Sequence, residues 1–129
     1  MNSKAVSIWG REFDLKVSYD HYDDDVIPEE MKHTRDAILS SWSVVDSSLD
    51  DLKRYCLERD HDAICKLYSG EQIDNIFRIV MPDCLFVLSS EGCRRVALML
   101  DYRFDPEEGV ALLFENEELV CLCPQSSVF

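Results

Sequence analysis

The stretch RVALMLDYRFDPEEGVALLFENEELVCL, residues 95–122, decides the fold. It holds three apolar runs, 96–100, 110–114 and 119–122, separated first by Asp105-Pro106-Glu107-Glu108-Gly109 and then by Asn116-Glu117. Short apolar runs bounded by turn-forming residues read as strands. Pro106 pushes Asp105 toward extended backbone, the Asp105 carboxylate can cap the turn that follows, and Gly109 supplies a positive φ where the chain re-enters a strand. The stretch therefore predicts an antiparallel arrangement built around one shaped acidic turn and one tight hairpin.

Working outward, the strand-like pattern begins after the Ser69-Gly70 break. Residues 76–81 are apolar on both faces except at Arg78, Pro82-Asp83 punctuates them, 85–88 forms a second run, and Glu91-Gly92 reads as a hairpin turn. At the other end, Phe13, Leu15, Val17 and Tyr19 alternate with polar residues at a period of two, which predicts a half-buried strand and a hairpin turning near Gly10 and Arg11. Between these ends, Met31, Ile38, Trp42, Val45 and Leu49 share one face of a helix spanning about 28–46, opened by Pro28 and two glutamates. Ser47 or Ser48 with Asp50 or Asp51 signals a second helix, whose stripe of Leu49, Leu52, Cys56, Ala63 and Leu67 falters at Asp60, His61 and Asp62. The predicted fold is α+β: an N-terminal β-hairpin, two consecutive helices, and a C-terminal antiparallel β-meander packed against the helices. At 129 residues the whole chain, 1–129, is expected to form one domain.

Charge limits the partners. The chain carries 26 acidic against 13 basic residues, a formal net charge of -13. Such a surface repels phosphate backbones, so nucleic acid is excluded as a partner; it could steer a basic protein, although keeping the protein soluble is the commoner role of such acidity. No apolar run approaches the roughly 18 residues of a membrane span, and the first residues show no basic, apolar and cleavable leader pattern, so a cytoplasmic location is expected. The six cysteines sit inside apolar patterns such as YCL, ICKL and VCLC, which predicts reduced core thiols rather than a disulfide framework.

Few residues suggest chemistry. The histidines, His21, His33 and His61, lie in no nucleophile motif, and the four glycines are scattered singly, with no phosphate-cradling loop. No catalytic residue and no cofactor is predicted. The tract DHYDDD resembles the start of a calcium loop but lacks the glycine and the distal bidentate glutamate, which leaves Asp23, Asp24 and Asp25 as a solvated acidic patch. Two metal-binding alternatives follow from donor types. Asp101, Asp105, Glu107 and Glu108 could converge as hard oxygen ligands, and Cys56, His61 and Cys65, joined by Cys121 and Cys123, offer donors suited to zinc.

The phrases FRIVMPDCLFVLSSEGCRRVALML, DYRFDPEEGVALLFENEELV and CPQSSVF, with WGREFDLKVSYD near the start, resemble a family of small bacterial proteins of unknown function. Its members show a DPEHG turn between two strands and an FEN hairpin near the end. The resemblance implies an intracellular α+β domain of accessory or immunity type, with Asp105, Pro106, Glu107 and Gly109 on the family's turn. Glu108 stands where histidine is usual, which removes the one group that would titrate near neutrality. The sequence thus predicts a non-enzymatic interaction module, with Asp23, Asp24, Asp25, Asp105, Glu107 and Glu108 as contacts for a basic partner. A metal-binding protein or metal-dependent hydrolase using the acidic turn is the alternative.

Overall fold

A computed structural model describes residues 3–20, 26–88 and 92–128. Six strands form one sheet in chain order, β1 (Ser3–Ile8), β2 (Arg11–Tyr19), β3 (Val80–Leu88), β4 (Arg95–Tyr102), β5 (Val110–Glu115) and β6 (Glu118–Cys123). Every neighbouring pair is antiparallel except β2 and β3, which run parallel with Lys16 opposite Cys84. Parallel neighbours need a long crossover, and all the α-helices lie in that one connection: α1 (Glu29–Ser40), α2 (Ser43–Asp46), α3 (Leu49–Arg59) and α4 (His61–Tyr68). The predicted hairpin, helices and antiparallel meander are all present.

The turns follow their residues. Ile8 pairs with Arg11 across a two-residue loop, and Glu115 pairs with Glu118 across another. Trp9 and Gly10 in the first, and Asn116 and Glu117 in the second, all have positive φ, the geometry that matches the twist of paired strands.

Alternation decides which side is covered. Leu15, Val17, Leu85, Val87, Val96, Leu98, Leu100, Val110, Leu112 and Phe114 project from one face into a core completed by Met31, Ile38, Val45, Leu52, Cys56 and Ile64 of the helices. The opposite face carries a smaller cluster of Leu88, Ala97, Met99, Ala111 and Leu113, against which Val128 of a C-terminal 3-10 turn packs. Residues 96–100 are therefore buried on both faces, as a continuous apolar run requires.

Four expectations are corrected. The first predicted helix, 28–46, is two pieces: α1 stops at Ser40, and the one-turn α2 follows. Two tryptophans hold this region, since Trp42 Nε1, within the break, donates to the Ser7 carbonyl at 2.8 Å and Trp9 Nε1, from the β1–β2 turn, donates to the Val45 carbonyl at 2.9 Å. These bonds tie the break to β1 and its turn. The second helix ends at Asp60, where its sequence pattern falters, and the backbone there leaves the helical region (φ -137°, ψ 50°). That break resets the phase, so Ile64 is the fully buried residue of α4 where Ala63 and Leu67 had been expected to face inward. Ser48 occupies the predicted cap position, yet its hydroxyl donates backward to the Val45 carbonyl instead of capping α3. Finally, residues 76–78 form a 3-10 turn, and β3 runs unbroken through Pro82 by shifting register between Pro82 and Cys84. A bulge is where a strand tolerates a residue without an N–H.

Candidate functional site

The acidic turn joins β4 to β5, and its carboxylates meet partners from two other parts of the chain. Asp105 Oδ2 accepts a 2.5 Å bond from Nη2 of Arg59, the last residue of α3. The same guanidinium donates to the Gly109 carbonyl at 2.9 Å and to the Tyr55 hydroxyl at 3.3 Å, and lies over the Tyr102 ring at 5.0 Å. Asp105 Oδ1 accepts from the Glu108 N–H at 3.2 Å, the local cap expected of an aspartate before proline. On the far side, Ser126 donates to Glu108 Oε2, and the Gln125 N–H donates to the Glu108 carbonyl at 2.9 Å. Gly109 has φ +58°, and a Cβ there would sit 2.6 Å from the Leu100 carbonyl oxygen and 2.5 Å from Gln125 Nε2. Glycine is required twice over, by backbone angle and by space.

Asp105 and Glu108 are therefore committed to the fold, while Glu107 is exposed. Asp101 is exposed on β4 and borders a depression of about 320 Å³ that is also lined by Phe77, Met81, Tyr102 and Pro106. Burial and the neighbouring Asp83 carboxylate push the Asp101 carboxyl above the ordinary range. Asp23, Asp24 and Asp25 lie outside the described residues, as do His21 and Glu91. Among the described residues, the three donors whose ligand atoms come within 4.8 Å of one another are His61, Cys65 and Glu71, not the four acids of the turn region.

The cysteine and histidine set divides. Cys56 is buried in the helix-covered core, where burial pushes its thiol up to about 12 and keeps it neutral. Cys121 and Cys123 lie on β6, with the Cys123 thiol raised to about 11 by burial first and by Cys121 second. His61 and Cys65 remain together on α4, with Cys65 Sγ 3.5 Å from His61 Nε2. Of the thiols expected in the core, Cys56 alone is buried; Cys65, Cys84, Cys93 and Cys123 are partly exposed and Cys121 is exposed.

Two participants escaped the sequence. Arg59 offered only its place as a basic residue near a helix end, a position it shares in type with many surface arginines. Glu71 could be found only by knowing that Ser69 adopts a left-handed conformation (φ 58°, ψ 38°), which ends α4 and turns the chain back. The recoverable signal was the four-residue step from His61 to Cys65, which places both on one helix face.

Fold and site together define an α+β domain in which a helical crossover covers one face of a mixed six-stranded sheet. The chain belongs to the family described as "Domain of unknown function (DUF6985)", which residues 2–129 match. No curated protein and no solved structure matches it. Among the described residues, no helix is long and apolar enough to cross a membrane.

Proposed function

We propose that this chain is a non-enzymatic interaction module of the bacterial cytoplasm, of accessory or immunity type, that engages a basic protein partner. The observation that carries the reading is the twofold excess of acid over base, 26 residues against 13. A surface of one sign steers an oppositely charged partner and discourages nucleic acid. The contact residues are Asp23, Asp24 and Asp25 together with Glu107, the exposed acid of a turn that Asp105 and Glu108 hold in shape. The free thiols of Cys56, Cys65, Cys84, Cys121 and Cys123 support a reducing compartment. The acidic turn as a metal centre is not favoured, because Asp105 is bonded to Arg59 and Glu108 to Ser126.

Affinity capture from the native host, run at low and at high salt, tests the reading. A basic protein retained at low salt, released at high salt, and lost when Asp23, Asp24, Asp25 and Glu107 are changed to their amides is the expected result. Capture of nothing at low salt, or a partner that the fourfold variant still retains, would overturn it.

A further inference from the structure

We propose that His61, Cys65 and Glu71 form a zinc site with three protein ligands and a fourth position open to solvent. His61 and Cys65 stand one turn apart on α4, and the left-handed Ser69 returns the chain so that Glu71 Oε1 reaches 2.8 Å from His61 Nε2. Cys65 Sγ lies 3.5 Å from the same nitrogen and 3.9 Å from His61 Nδ1, so the thiol sits against the ring. The separations suit the metal. With bonds of about 2.0–2.1 Å to nitrogen or carboxylate oxygen and about 2.3 Å to sulfur, tetrahedral angles set nitrogen and sulfur about 3.5 Å apart and nitrogen and oxygen about 3.3 Å apart. The sulfur has that separation but lies beside the ring, so the half-exposed His61 ring must turn for its Nε2 lone pair to meet the thiolate, and the carboxylate needs to withdraw by about half an ångström.

Donor chemistry selects the ion. A thiolate, an imidazole and one carboxylate suit zinc, whereas calcium and magnesium take oxygen ligands. The other ring nitrogen also has a partner, since His61 Nδ1 lies 3.4 Å from Asp62 Oδ1. A carboxylate at Nδ1 fixes the proton there and leaves the Nε2 lone pair for a metal. A plain histidine–glutamate ion pair accounts for the 2.8 Å contact but does not call for a thiol in the same group, whose three donor atoms all lie within 4.8 Å of one another.

His61 and Glu71 have side chains 52% and 72% exposed, so an ion has free access and the donors can be changed without disturbing the core. The test is calorimetric titration of the full chain with zinc in a reducing, chelator-free buffer, with circular dichroism confirming that each variant folds. One equivalent per chain is expected, with affinity lowered about tenfold or more in each of His61→Gln, Cys65→Ser and Glu71→Gln, and about tenfold in Asp62→Asn. Cobalt in place of zinc should give a thiolate-to-metal absorption band that Cys65→Ser lacks. The double variant Cys121→Ser and Cys123→Ser should bind as the parent does. Substoichiometric zinc, binding indifferent to the α4 variants, or binding that depends on the β6 cysteines would each overturn the site.

Discussion

The acidic turn between β4 and β5 and the reversal after α4 are built from the same ingredients and put them to opposite use. Each has a residue of positive φ, Gly109 in one and Ser69 in the other, and each brings a carboxylate onto a nitrogen donor. In the turn, the partner is Arg59, a side chain only 20% exposed that also reaches a backbone carbonyl and lies over the Tyr102 ring. After α4, the partner is the half-exposed His61, and the third member of the group is a thiol. Pairing with a largely buried cation makes the first acid part of the framework, because removing that cation leaves a partly buried charge that water replaces only in part. Exposure leaves the second group free for exchange with an ion. An acidic residue in a turn is thus informative about function only when the reach of the nearest cation is known.

This contrast is open to direct attack. Gly109→Val should cost the most, about 3 kcal/mol by urea unfolding, through the left-handed backbone and the loss of the bond from Gln125 to the Leu100 carbonyl. A loss under 1 kcal/mol would mean that the turn is not held as tightly as its bonds suggest. Arg59→Met keeps the apolar stem and removes the guanidinium, for an expected loss of about 2 kcal/mol, reduced from that of a fully buried pair by the solvent that reaches Asp105. The companion Asp105→Asn should lose less, since an amide oxygen still accepts from Arg59. Equal losses would remove the argument from an uncompensated charge.

Asp101→Asn should act in the opposite direction. The Asp101 carboxyl is raised in the folded chain by burial and by Asp83, so folding favours its protonated form. The sign follows: the ionised group is unfavourable above its raised folded value, the disadvantage shrinks as pH falls through that value toward the ordinary 3.8, and it is gone below 3.8. The variant should melt slightly higher than the parent at neutral pH and lose that advantage in acid. A gain that persists unchanged at low pH would show that charge is not the cause. Smallest of all, Cys65→Ser and Glu71→Gln should alter the stability of the metal-free protein by no more than about 0.5 kcal/mol. A larger loss would make the α4 group structural and erase the distinction drawn between the two turns.

Much of the fold was legible because it rests on local signals. The period of two from Phe13 to Tyr19, the Asn116-Glu117 turn and the Pro106 and Gly109 bracket each determine backbone shape within a few residues. The helical breaks were less legible, because the bonds tying the region after Ser40 to β1 come from Trp9 and Trp42 meeting partners more than thirty positions away. The parallel pairing of β2 with β3 left no local mark at all, since a strand's own residues are compatible with either direction of its neighbour. The candidate site divided along the same line. Asp105 capping Glu108 was readable from the order Asp-Pro, while Arg59 and Glu71 depend on tertiary approach.

That one parallel pair also sets an order of assembly. β3 to β6 are joined successively by short connections, so their pairing closes small loops, whereas Lys16 meets Cys84 only after the entire helical crossover has been gathered in. Loop closure over such a span is slow compared with hairpin formation. The C-terminal meander is therefore expected to form first and to wait with the β2-binding edge of β3 open, a state that pulsed hydrogen exchange would detect as early protection in β4 and β5 and late protection in β1 and β2. Simultaneous protection of all six strands would refute that order. While the edge stands open, the β1–β2 hairpin of a second chain fits it as well as the chain's own, so crowded refolding should yield exchanged dimers.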